Sequence, residues 1–255
     1  MTEDQRKYAE LAKAGALGDI LTWLTHEARR KRVQSYCGVD DGFLAWGRKI
    51  IPTDQNRLQV KAEYRCTDFG TDNMAGMLEW VGRQVSARYR DPAFNGVHLL
   101  IGDVSAPRGG CMAGKGGRRG HRSHTSGEDA DMGYLNARAR ISSPNTFSRV
   151  FDPQDNWWLV KKIFQNPFAC VKVIFLDRRH INSLRKVAGS DPDWKTYGRY
   201  IRHIPGHRNH MHVRIGEGPG LPGCVQSQDE PVQIDDEDSD SVEETEAGPE
   251  RWTAE

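Results

Sequence analysis

Two short segments concentrate the residues able to hold a metal ion or move a proton. The first, His121-Arg-Ser-His-Thr-Ser-Gly-Glu-Asp-Ala-Asp131, packs two imidazoles and three carboxylates into eleven residues. The second, His207-Arg-Asn-His-Met-His212, carries three imidazoles. Together they hold five of the nine histidines of the chain. Neutral imidazole and carboxylate are the donors of catalytic zinc sites, which take three protein ligands and leave a fourth position for water. Such an ion polarises a carbonyl and brings the pKa of bound water to roughly 7.

The second segment must be held on a rigid element for this chemistry. Asn209-His-Met-His-Val-Arg-Ile215 reads as a strand. Strand side chains alternate faces, so His210, His212 and Arg214 share one face while Met211, Val213 and Ile215 face a core. In the first segment Thr125-Ser-Gly127 reads as a turn and Asp129 to Tyr134 as extended. His124 before the turn and Asp131 after it could then approach one ion together with an imidazole of the strand. Each piece alone has a plainer account: a hydrogen-bonded histidine, or an aspartate in a turn or helix cap. Their joint occurrence is what points to a metal site.

The flanking chain supplies elements for a core. Residues 3–33 show helical spacing of Tyr8, Leu11, Ile20 and Leu24. Residues 71–90 form the clearest amphipathic helix, with Met74, Met77, Leu78, Val81 and Val85 on one stripe and Thr71 or Asp72 as cap. Arg57 to Tyr64 alternates like a half-buried strand, and Val97 to Val104 reads as a central strand. Pro107 to Gly120 is a basic loop with six glycines. It lacks the ending and the following helix of a phosphate cradle. Asp152-Pro153 opens a helix with Trp157, Val160, Ile163 and Phe164 inward, Val171 to Asp177 is a strand, and Ile181 to Ala188 is a short helix closed by Gly189. Asp191-Pro192 opens another helix. Beyond Cys224 the composition is acidic and aromatic-poor, that of a disordered tail.

Charge is unevenly spread. From Gln226 to Glu255 there are twelve acidic residues and one base, Arg251. Taking that one base from 36 and those twelve acids from 35 leaves residues 1–225 at +12, against +1 for the whole chain. A basic body suits an anionic partner such as cell-wall polymer or nucleic acid. An acidic tail that neutralises the body for solubility accounts for the same asymmetry equally well. The five cysteines, Cys37, Cys66, Cys111, Cys170 and Cys224, form no CxxC pair, which argues against a cysteine zinc site. No apolar run approaches the ~20 residues needed to span a bilayer. The start of the chain does not read as a secretory signal, since Asp19 breaks its one apolar run.

Leu-Ile-Gly-Asp (100–103), Pro-Arg-Gly-Gly (107–110), Gly-His-Arg-Ser-His-Thr-Ser-Gly-Glu-Asp-Ala-Asp (120–131), Asp-Pro-Asp-Trp (191–194) and His-Arg-Asn-His-Met-His-Val-Arg (207–214) resemble the motifs of the penicillin-insensitive murein endopeptidases. These belong to the lysostaphin, D-Ala-D-Ala peptidase and hedgehog-type metallopeptidases. The match runs over roughly residues 46–216. The resemblance implies an α+β fold, with a small antiparallel central sheet flanked by helices and long loops. It implies Zn²⁺ held by His124, Asp131 and His212, with His210 as catalytic base and His207 steadying the oxyanion. His121 would lie at the rim. Arg108, Arg118, Arg119 and Arg122 could recognise substrate carboxylates, or equally form a solvated basic loop. The implied reaction is hydrolysis of D-alanyl–diaminopimelyl cross-links of peptidoglycan by metal-activated water, in the periplasm or elsewhere outside the cytoplasm. Nucleic acid is not expected as a partner, and oligomeric state stays open.

The chain departs from the family pattern in three ways. Lys115 to Arg119 lengthens the loop before His121, Glu128 takes a position that is typically apolar, and neither a signal peptide nor the usual cysteine pattern is expected from the residues. The expected organisation is an N-terminal helical extension (1–36), a metallopeptidase domain (37–224) and the acidic tail (225–255). Two rival readings remain: a metal-dependent nuclease, suited to the basic body, and a non-catalytic wall-binding protein on the same fold.

Overall fold

The computed structural model describes residues 34–36, 42–45, 47–61, 63–94, 96–110, 123–135 and 149–216. The expected N-terminal helix, the acidic tail, most of the Gly-rich loop, and His121, Arg118, Arg119 and Arg122 lie outside them. The strands are β1 (Gln34–Tyr36), β2 (Phe43–Ala45), β3 (Arg48–Lys49), β4 (Leu58–Val60), β5 (Phe69–Gly70), β6 (Leu99–Ile101), β7 (Asp129–Gly133), β8 (Cys170–Leu176), β9 (Ile201–His203) and β10 (His210–Gly216). The helices are α1 (Asp72–Arg88), α2 (Pro153–Phe164), α3 (Arg178–Ala188) and α4 (Pro192–Tyr197).

The fold is α+β. Six strands form one sheet in the order β4-β6-β7-β10-β8-β9, and β1-β2 and β3-β5 form two small ribbons. In the run β6-β7-β10-β8 each strand is antiparallel to the next, as expected for the centre of the sheet. The sheet as a whole is mixed, because the edge strands β4 and β9 each run parallel to their neighbours. Strand β10 sits in the interior between β7 and β8, so both its edges are hydrogen bonded.

The alternation read for β10 is present. Met211, Val213 and Ile215 are buried in the core. Burial of such side chains stabilises by about 1.5–3 kcal/mol each. A one-residue slip would drive His210, His212 and Arg214 into that core, so the apolar face fixes the register of the polar one. Helix α1 lays Met74, Met77, Leu78, Val81 and Val85 into the same core, and α2 adds Trp157, Leu159, Val160 and Ile163.

Side-chain caps set the helix starts. Thr71 accepts from Met74 N–H, Asp152 from Gln154 and Asp155, Asp177 from Arg179, and Asp191 from Asp193. A buried Arg48 joins β3 to α1 through both oxygens of Glu79, at 2.9 and 2.7 Å. Burial pushes the Glu79 carboxyl up, and the neighbouring Arg48 opposes this.

Several boundaries differ from the sequence expectation, among them the central strand read over Val97–Val104, which spans only Leu99–Ile101. Helix α3 starts at Arg178 rather than Ile181, because Asp177 caps a first turn that has no apolar periodicity. Gly189 closes α3 in a right-handed conformation. The strand expected over 57–64 is only Leu58–Val60: Arg57 takes a positive φ of 43°, β6 offers three partners, and Glu63–Arg65 turns into a 3₁₀ helix. Among the described residues no helix is long and apolar enough to cross a membrane.

Candidate metal centre

The two histidine-bearing segments meet on one face of the sheet. In the antiparallel ladder of β7 and β10, His212 pairs directly with Asp131 and Arg214 with Asp129. Directly opposed residues project to the same side. Both pairs therefore face away from Met211 and Val213.

His124 reaches this face from the loop before β7, where it holds a left-handed φ of 69°. That conformation is uncommon outside glycine and persists only where the surroundings enforce it. Thr125 is tied down twice, its hydroxyl accepting from Gly42 N–H and its carbonyl from Gly110 N–H, both at 2.8 Å. Gly127, at φ 76°, turns the chain into β7 while its carbonyl accepts from Thr71 N–H. The backbone N–H of His124 lies 3.3 Å from Asp129 Oδ2.

The ring nitrogens can be assigned from their partners. His124 Nδ1 is 3.1 Å from the Val104 carbonyl, which only accepts, so Nδ1 carries the proton and Nε2 offers its lone pair. That Nε2 lies 3.4 Å from Asp131 Oδ1. His212 Nδ1 lies 3.3 Å from the same oxygen. Donors at ~2.0–2.2 Å from a tetrahedral ion are separated by about 3.3–3.5 Å. The ligand atoms of His124, Asp131 and His212 all lie within 4.8 Å of one another, and all three residues are buried. Among the described residues, no hydrogen bond of good geometry satisfies Asp131 Oδ1 or His212 Nε2. A buried oxygen of that kind is rare without an ion or water to satisfy it. The group therefore fits a metal ion.

The charges agree with this. Burial opposes ionisation of Asp131, but His124, His212 and His210 outweigh it and hold the carboxyl well below its usual range. Burial likewise works against a charged His212, yet Asp129 and Asp131 push its imidazole up to about 9. Asp129, fully buried, is held low by His212 and Arg214 against its own desolvation. A positive charge is thus favoured at the mouth of these carboxylates.

His210 and His207 stand beside the cluster. His210 Nε2 is 3.7 Å from Asp131 Oδ1, and its Nδ1 is 2.7 Å from the Asn209 side-chain oxygen. Burial lowers its pKa to about 4, with Asp131 opposing and His207 and His212 adding to the effect. The ring centroids of His207 and His210 are 5.0 Å apart. His207 Nδ1 faces the carbonyls of Ile204 and Pro205 at 3.2 and 3.1 Å, so it carries the proton. Burial and the neighbouring His212 lower its pKa. The loop bearing His207 is held by Tyr134, whose hydroxyl donates to the His207 carbonyl at 2.7 Å, and by His180 near the Arg208 carbonyl at 2.9 Å.

The structure thus brings together His124, Asp131, His207, His210 and His212. His121 and Arg122 fall outside the described residues, and Arg108 is exposed at the edge of the undescribed loop. Sequence reasoning missed Asp129, which had no assigned part. Its signal was available: Asp129 and Asp131 are two apart on a strand and so share a face. Asn209 and Tyr134 carried no such signal, since their partners are fixed by packing.

A family model described as penicillin-insensitive murein endopeptidase matches residues 37–247. A comparison with curated proteins found no match.

Proposed function

The chain belongs to the penicillin-insensitive murein endopeptidase family, and on that premise we propose that it is a zinc endopeptidase cleaving D-alanyl–diaminopimelyl cross-links of peptidoglycan outside the cytoplasm. The observation that carries this reading is the convergence of His124 Nε2, Asp131 Oδ1 and His212 on one buried point. Two nitrogens and one carboxylate oxygen suit zinc, and hard oxygen-seeking cations less well. We take residues 37–224 as the catalytic unit, with 1–36 and 225–255 as extensions.

A bound zinc ion would polarise the scissile carbonyl and acidify a water molecule. The remaining work falls to the side chains. Asn209 accepts the Nδ1 proton of His210 and leaves its Nε2 lone pair on the Asp131 side. Because burial keeps His210 neutral near pH 7, Nε2 can take a proton from attacking water and return it to the leaving amine. His207 already donates Nδ1–H to backbone carbonyls. It can donate to an oxyanion through Nε2 only after gaining a second proton. Burial opposes that proton, and a developing negative charge favours it.

The deciding experiment is incubation with purified sacculi followed by separation of the soluble muropeptides. Conversion of cross-linked dimers to monomers at the D-alanyl–diaminopimelyl bond is expected. Intact sacculi with DNA nicking would favour a nuclease, and wall binding without turnover would favour a binding protein.

A further inference from the structure

We infer that Asp129 is the positioning residue of the metal centre: one buried carboxylate orients two of the three ligands and thereby sets the affinity for the ion. This rests on the reading of His124, Asp131 and His212 as ligands. Asp129 is fully buried and lies outside the ligand trio itself.

Its contacts reach both histidine ligands. Oδ1 lies 3.0 Å from His212 Nε2, and Oδ2 lies 3.3 Å from the backbone N–H of His124. The pair is out of line for a hydrogen bond, but a carboxylate charge this close favours the His212 tautomer with the proton on Nε2. That tautomer leaves Nδ1 as a lone pair, and Nδ1 is the atom 3.3 Å from Asp131 Oδ1. The second contact braces the backbone at a residue with a left-handed φ. Without a partner for its N–H, His124 would more readily relax out of that conformation and carry Nε2 with it.

The carboxylate is itself held. Arg214 Nε donates to Oδ1 at 2.8 Å and Nη2 to Oδ2 at 3.2 Å. Arg214 is the direct ladder partner of Asp129, just as His212 is of Asp131. The two pairs stand one pleat apart, so the strand geometry delivers ligand pair and support pair as a unit. The fork geometry leaves Asp129 little freedom to rotate.

Outer partners of ligating histidines typically change metal affinity by ~10–100-fold. Zinc affinity of the full-length chain, measured by competition with a chromophoric chelator, should fall by about that factor in Asp129→Ala. Asp129→Asn keeps an acceptor for the His124 backbone N–H and should recover part of the loss. Long-range proton–nitrogen NMR of the zinc-loaded wild type should show His212 protonated on Nε2 and ligated through Nδ1. That measurement needs no variant to fold. Unchanged affinity in a folded Asp129→Ala, or His212 ligating through Nε2, would overturn the assignment while leaving the enzyme reading intact. A wild type that binds no zinc would overturn both, and failure to cleave sacculi despite tight zinc binding would sink only the proposed reaction.

Discussion

His212 and Asp131 are direct partners across the β7–β10 ladder, and His212 Nδ1 lies 3.3 Å from Asp131 Oδ1. The pair sits on interior strands whose opposite faces are packed into the core. Two of the three candidate ligands are therefore fixed by sheet register, and only His124 is delivered by a loop.

This arrangement predicts about one zinc per chain by elemental analysis, lost in each of His124→Ala, Asp131→Ala and His212→Ala. Binding to the folded state alone stabilises by RT ln(1 + [L]/Kd), about 4 kcal/mol at a thousandfold excess over Kd. Calorimetry should thus show a higher Tm with zinc than with chelator for the wild type, and no difference for Asp131→Ala. Full zinc retention in these variants would refute the ligand set.

His210→Ala separates proton transfer from metal binding. General acid–base groups contribute roughly 10²–10⁴-fold. Muropeptide release should fall by that factor while the zinc content stays that of the wild type. Loss of zinc with activity would make His210 a ligand.

Gly109 and Gly110 both adopt positive φ, 67° and 77°, but only one is crowded. A Cβ on Gly109 would meet the Thr125 carbonyl oxygen at 2.0 Å and Leu44 N at 2.5 Å, whereas one on Gly110 meets nothing within 4 Å among the described residues. Gly110→Ala should cost about 1 kcal/mol from backbone conformation alone. Gly109→Ala adds a clash beside His124, for an expected total of about 2–4 kcal/mol. Urea unfolding checks the difference, and weakened zinc binding should accompany only Gly109→Ala.

Asp191 gives a pH signature away from the site. Its Oδ2 accepts from Lys161 Nζ and Trp157 Nε1, each at 2.8 Å, and Oδ1 caps α4. The Lys161 hydrogen bond, then that of Trp157, lowers its pKa from 3.8 to about 2. A lowered folded-state pKa means stability that is fully present above pH ~4 and is lost as pH falls through about 2. Asp191→Asn keeps the cap but not the charge. Its stability deficit, read by thermal melts at several pH values, should be constant above pH ~4 and shrink toward zero near pH 2. A deficit that grows on acidification would exclude the charge as its cause.

Much of the frame was legible locally. The caps Thr71, Asp152 and Asp191 and the stripe of α1 are short-range signals, and each marks its helix. Where local signals conflict with pairing, pairing decides. Leu58–Val60 is short because β6 offers three partners, although the alternation of residues 57–64 continues beyond it.

The sequence by itself determined which residues are able to do the chemistry. Alternation along 209–215 places His210, His212 and Arg214 together because a strand has a period of two. The spacing of His124 and Asp131 around a turn does the same for the other half. Only the tertiary structure decided that His212 stands opposite Asp131, that a left-handed His124 joins them, and that Asp129 lies against two of these three residues at once. Those are matters of register and burial between segments some eighty residues apart. A ladder partner or an orphaned buried oxygen has no local trace in the chain.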